Sequence, residues 1–232
     1  MKKSRTLLIP FALLFLFLTA CNDNNSNNTS NTNAGEPKTA NVKTGVKPEP
    51  DAQAAVIETA DYGRIVVELY PNIAPQMVER FKKLISEKFY DGTAVHRVDL
   101  ALGIIQGGDP NTKGSNLATY GGGDSPYPNV PAEFSDILYE RGTLGAAAKL
   151  GDINSANCQW FITLKKQPQF DKRYTVFGRV IDGIKNAEMI MGAPTAKQGC
   201  APTDRDPACS RPADKVVIKS VTLQPRASFP AQ

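Results

Sequence analysis

Short runs of β-branched and aromatic residues, each closed off by Gly, Pro, Asp or Asn, dominate this chain from residue 54 onward and leave room for few helices. Residues 56–59 and 64–70 read as two strands joined by a turn at Asp61-Tyr62-Gly63. In the second, Ile65, Val67 and Leu69 alternate with Val66, Glu68 and Tyr70, the period of two that buries one face of a strand. Further strands are expected at 94–98, 102–106, 143–148, 159–164, 174–180 and 215–223. Only two segments ask for a helix. One begins at Pro75, a residue suited to a first helical turn, and repeats Val78, Phe81, Leu84 and Ile85 at helical spacing with Glu79, Lys82 and Lys83 on the other face. The other is short, 184–190. Many short strands with few helices point to a β-barrel or a β-sandwich. About 170 residues are enough for one such domain with a sizeable core.

The N-terminus has a different character. Lys2, Lys3 and Arg5 precede a twelve-residue apolar run, 7–18, too short for a mature bilayer span and suited to a signal-peptide core. It ends in Leu18-Thr19-Ala20-Cys21, which resembles the lipobox of bacterial lipoproteins. Residues 1–20 are therefore expected to be a cleaved signal and Cys21 a lipidated anchor, with an ordinary cleavage after Ala20 as the competing reading. Residues 21–53 are Asn-, Ser-, Thr- and Pro-rich and read as a disordered tether. The expected location is the cell envelope, lipid-anchored, at the outer membrane if the organism has one. Losing the first twenty residues removes three positive charges and no negative ones, so the net charge of +4 falls to +1. No basic cluster with interleaved aromatics remains, and no nucleic-acid partner is expected.

The chemistry-bearing residues exclude more than they offer. His96 is the only histidine, so a zinc hydrolase would lack its usual second imidazole. A Ser- or Cys-hydrolase would have to recruit His96, yet no Gly-x-Ser-x-Gly elbow is present and no signature surrounds Cys158. Cys200 and Cys209 bracket a loop rich in Pro, Asp and Arg, and in an exported chain a disulfide is favoured over a metal site. Cys158 reads as a buried, inert thiol. Gly121-Gly122-Gly123 lacks the Lys-Ser/Thr of a phosphate loop and reads as surface loop.

Eight motifs in order resemble one family. Phe89-Tyr90-Asp91-Gly92-Thr93, His96-Arg97-Val98 and Ile105-Gln106-Gly107-Gly108-Asp109-Pro110 are similar to the first half of the cyclophilin signature. Pro131-Ala132-Glu133-Phe134, Arg141-Gly142-Thr143-Leu144, Asn154-Ser155-Ala156, Gln159-Trp160-Phe161-Ile162-Thr163 and Thr175-Val176-Phe177-Gly178-Arg179-Val180 continue it, and 216–221 resembles its last strand. The resemblance runs from 54 to 223, within a domain placed at 54–225 and followed by a tail at 226–232.

It implies a closed eight-stranded antiparallel β-barrel capped by two α-helices, and peptidyl-prolyl cis-trans isomerase activity without cofactor or metal. The implied partners are proline-containing polypeptides, and the protein is expected to be a monomer. The competing reading is a membrane-tethered peptide-binding or chaperone module that isomerises poorly. Arg97 corresponds to the family's catalytic arginine. Phe161 and Ile104 correspond to the floor of the proline pocket, Phe170 and Tyr174 to its walls, and Gln106 and Gln159 to the polar side chains that orient peptide and arginine. Ala148 and Lys149 are expected to present backbone groups to the substrate. Strand alternation turns His96 away from the groove that Arg97 faces. Three departures stand out: one extra residue between Arg97 and Gln106, Gly103 where an aromatic is usual, and Gln169 at the Trp position that favours cyclosporin binding. Gly103 is expected to thin one wall of the proline pocket.

Overall fold

The computed structural model describes residues 41–201 and 203–230; residues 1–40, with the expected signal and Cys21, lie outside them. Among the described residues, nine strands form one antiparallel sheet in the order β3-β9-β1-β2-β8-β6-β7-β5-β4. They are β1 (Gln53–Thr59), β2 (Arg64–Leu69), β3 (Ala94–Val95), β4 (Arg97–Asp99), β5 (Ile104–Gly107), β6 (Thr143–Ala146), β7 (Trp160–Thr163), β8 (Val176–Asp182) and β9 (Val216–Pro225). The two ends of that order, β3 and β4, are consecutive in the chain and separated only by His96. The sheet thus comes round on itself as a barrel. The strand expected at 94–98 divides at His96 because its first half pairs with β9 and its second with β5. That division makes the strand count nine rather than eight.

Alternation along the strands separates two apolar clusters. On β7, Trp160 and Ile162 join the main core while Phe161, between them, belongs to the second cluster. Ile105 and Ile104 on β5 divide in the same way. The main core holds Phe81, Tyr90, Trp160 and Phe177, with Phe81 5.3 Å from the rings of both Tyr90 and Phe177. Helix α1 (Pro75–Ser86) buries Met77, Val78, Phe81, Leu84 and Ile85. Its first-turn amides find no cap on Ala74; the buried Glu133 carboxylate accepts from Gln76 N and Met77 N at 3.1 and 3.0 Å. A remote carboxylate thus does the work of an N-cap and favours the positive end of the helix. Helix α2 (Ile184–Met191) buries Ala187 and Ile190.

Segments with little apolar content are held by hydrogen bonds. Within the stretch read as tether, Lys43 N donates to the Phe134 carbonyl (2.9 Å), its ammonium donates to the Ile73 carbonyl (2.7 Å), and Asp51 pairs with Lys82 (2.9 Å). Residues 226–230, read as tail, dock on the outer sheet face: Phe229 is buried with Ala54, Val56, Val66 and Ile181, and Arg226 pairs with Glu68 at 2.9 Å.

Candidate active site

Adjacent strands β4, β5 and β7 carry a row of polar side chains across the outer face. Arg97 and Asp99 sit two apart on β4 and so share a face. Arg97 Nη2 donates to Asp99 Oδ2 at 2.7 Å, and its Nη1 lies 3.4 Å from Gln106 Oε1. Gln106 Nε2 in turn donates to Gln159 Oε1 at 3.0 Å. Gln159 Nε2 donates to the carbonyls of Gly121 (3.1 Å) and Gly123 (2.9 Å). The glycine triplet, read from sequence as plain surface loop, thus ends a chain of contacts that begins at Asp99. Asp109, wholly buried, secures that loop by accepting from Gly121 N. The Arg97 side chain is 38% exposed, so its remaining donors face open space.

Beside the guanidinium is an apolar pocket of about 390 Å³, lined by Leu102, Ile104, Phe161, Phe170 and Tyr174 and edged by Ala147, Ala148 and Leu150. Phe161 is clasped by three rings, with centroids 5.6 Å from each of Tyr139, Phe170 and Tyr174. Tyr139 lies parallel to Phe161 and is 1% exposed; sequence reasoning passed over it because it falls in an irregular stretch with no strand period. Burial pushes its phenol well above the ordinary range, with Tyr174 and Asp171 acting in the same direction. It therefore acts as an apolar underlay for the pocket floor.

Two expectations change here. Gly103 leaves no gap in the pocket: its φ is +59° and a Cβ there would lie 2.5 Å from Lys165 Cγ, so that position faces Lys165. Leu102 lines the pocket in its place, with its amide donating to Asp99 Oδ1 at 2.8 Å. Lys149 presents little backbone: its amide donates to Ser155 Oγ (2.7 Å) and its carbonyl accepts from Asp152 N (3.0 Å). Strand β6 ends at Ala146 rather than at 148, and among the described residues both backbone groups of Ala148 are without a hydrogen-bond partner. Ala148 alone of that pair is open to a second chain. The Lys149 ammonium pairs with Asp124 at 2.9 Å.

His96 is 8% exposed and neither ring nitrogen has a hydrogen bond of ordinary geometry. Burial lowers its pKa, while Asp109 and the Ala94 backbone pull the other way. Cys158 is wholly buried, and burial, reinforced by Asp124, pushes its thiol up to about 12. Neither group is poised as a nucleophile or base. Cys200 and Cys209 are joined in a disulfide. Asp204 is close to both sulfurs, but each thiolate that a metal would need is spent in that bond.

The structure is thus an antiparallel barrel that carries an aromatic-walled apolar pocket with an anchored guanidinium at its rim. The match to known proteins narrows this. The family described as "Cyclophilin type peptidyl-prolyl cis-trans isomerase/CLD" matches residues 54–223. The chain is 38% identical over 153 residues to a "Probable peptidyl-prolyl cis-trans isomerase" of Brucella suis, covering 64% of this chain and 77% of that one. It is 33% identical over 172 residues to "Peptidyl-prolyl cis-trans isomerase-like 3" of Gallus gallus, covering 73% of this chain and 95% of that one. Among solved structures it resembles a cyclophilin type isomerase of Cryptosporidium parvum, determined in the presence of the dipeptide Ala-Pro. The TM-score is 0.61 at 26% identity, over 74% of this chain and 98% of that one. The chain belongs to the cyclophilin-type peptidyl-prolyl cis-trans isomerase family.

Proposed function

We propose that Arg97 drives X-Pro isomerisation by stabilising the twisted amide in the pocket floored by Phe161. The observation that carries this reading is a partly free guanidinium, held by Asp99 and Gln106, at the rim of an apolar pocket. Rotation about a peptide bond has a barrier of about 18–20 kcal/mol, and uncatalysed prolyl exchange takes roughly 10–100 s. No covalent bond is broken, so neither nucleophile nor cofactor is required. As the amide twists, resonance is lost and the prolyl nitrogen gains a lone pair that the planar forms lack. A guanidinium N–H donated to that nitrogen binds the twisted state better than either isomer, and such differential binding accelerates the step. Phe161, Ile104, Leu102, Phe170 and Tyr174 hold the ring, and the free Ala148 backbone aligns the chain.

The test is protease-coupled or exchange-NMR isomerisation of a Xaa-Pro peptide. Arg97→Ala is expected to lower kcat/KM by about a hundredfold, and Arg97→Lys to restore little, because an ammonium is not a planar fork. An Arg97→Ala variant as fast as wild type overturns the assignment. Peptide binding without acceleration by the wild type would favour the peptide-binding module instead.

The clients are proposed to be exported polypeptides met at the membrane surface by a monomer tethered through Cys21. The basic segment, the apolar run and Leu18-Thr19-Ala20-Cys21 support this. Lipid labelling of the full chain, lost in Cys21→Ala, checks it; an unlabelled wild type refutes it.

A further inference from the structure

The loop between α2 and β9 stands outside the proline pocket yet next to Arg97. It is pinned by the Cys200–Cys209 disulfide, and the Ser210 carbonyl accepts from Val98 N, the residue after Arg97, at 2.6 Å. Asp206 caps the turn Pro207–Cys209 by accepting from Ala208 N at 2.9 Å. Between this loop and β4 lies a cavity of about 670 Å³, larger than the 390 Å³ proline pocket. Arg97, Leu102 and Gln106 line both, so the two spaces meet at the guanidinium. An extended chain advances about 3.3 Å per residue. A peptide with its proline in the smaller space therefore reaches the larger one within about three residues.

The charges in that space are unevenly satisfied. Of its carboxylates, Asp99 is bound to Arg97 (2.7 Å), while Asp206 and Asp204 lie 3.1 and 3.9 Å from Lys197. Arg205 and Arg211 also line it, and among the described residues neither has a carboxylate within ion-pair distance or a side-chain hydrogen bond, although Arg211, after the Ala208 amide and Lys197, helps hold the Asp206 carboxyl below its ordinary range. The Arg205 fork is thus left open and that of Arg211 engages Asp206 only at longer range, so both keep the planar donor geometry that suits a carboxylate.

We propose that this cavity is a charge-selecting subsite that receives an aspartate or glutamate side chain of the substrate, within about three residues of the proline on the side that leaves past Arg97. The inference rests on the isomerase reading above and adds a preference in sequence context. The disulfide closes the loop on itself, while the hydrogen bond from Val98 N to the Ser210 carbonyl seats it on β4.

The experiment measures kcat/KM at low and high salt for Xaa-Pro peptides with a single Glu or Lys scanned through the three positions on either side of the proline, using wild type and the Arg205→Glu/Arg211→Glu double variant. Wild type is expected to favour Glu over Lys by about three- to tenfold on one side only, less so at high salt. The double variant is expected to lose or invert that preference while isomerising an uncharged Xaa-Pro peptide at the wild-type rate. No preference, a preference on both sides, or one that survives the double substitution overturns the subsite. Failure of the isomerase reading would look different, because wild type would then not accelerate the uncharged peptide at all.

Discussion

Gly145 is the position where one added carbon should most directly test the design of the pocket. It lies on β6 directly opposite Phe161 on β7. A Cβ there would stand 2.5 Å from Phe161 Cζ, 2.9 Å from Phe161 Cε1 and 2.5 Å from Tyr139 Oη, where ordinary contact begins at 3.4 Å. The ring must therefore yield by about 0.9 Å to recover normal van der Waals separation. Tyr139 cannot give way, being 1% exposed and packed 5.8 Å from Phe170. Phe170 and Tyr174 block sideways motion of Phe161, each at 5.6 Å between ring centres. The remaining direction is outward, into the space for the proline ring. Overpacking of this kind costs about 1–3 kcal/mol. For a domain of this size that lowers Tm by roughly 3–10 °C. A displacement near 1 Å at the reacting geometry costs up to about a hundredfold in rate. Gly145→Ala is thus expected to lose about ten- to a hundredfold in kcat/KM, mostly through KM, on an Ala-Pro peptide. Adding Phe161→Leu should recover stability, with a favourable coupling in the double-mutant cycle, but not activity. A Gly145→Ala protein with wild-type Tm and wild-type kcat/KM would refute the claim that Phe161 is wedged against this strand.

Three further outcomes are expected. Asp99→Ala frees Arg97 and the Leu102 amide, and should lower kcat about three- to tenfold with little change in KM; the partly exposed pair contributes at most about 1 kcal/mol to stability, so full kcat in that variant would remove Asp99 as a positioning residue. His96 has its pKa lowered by burial from 6.5, so the unfolded chain binds its proton first as pH falls. Its contribution to stability is therefore present above about pH 6.5 and lost as pH falls below it. Urea titrations should show a smaller acid-side loss for His96→Gln than for wild type, and the pH–rate profile should lack a histidine step between pH 6 and 8; equal losses or a clear step would contradict this. With Gln169 exposed and outside the proline pocket, cyclosporin should bind weakly by calorimetry, and a tight complex would count against that reading.

How much of this was legible in the sequence differs from element to element. The strands with period two and the helix from Pro75 could be read because each signal lies within one run of neighbouring residues. Phe161 and Ile104 could be placed on the outer face, apart from Trp160 and Ile105, by alternation together with the family motifs. Arg97 rather than His96 as the groove residue follows from the same parity. The Asp99–Arg97 pair was legible in principle, since residues two apart on a strand share a face. What the sequence could not convey depends on pairs far apart in the chain. Examples are the Glu133 carboxylate capping α1, Tyr139 beneath Phe161, the Gly121 and Gly123 carbonyls holding Gln159, and Lys165 filling the space at Gly103. Local propensity and periodicity set which face a residue shows. Only closure of the barrel decides what that face meets, because strand neighbours such as β9 and β1, or β2 and β8, are chosen by packing and not by proximity in the chain. The cysteine loop shows the limit most plainly: its composition suggested a disulfide, but its place beside Arg97 is set by one backbone hydrogen bond to β4.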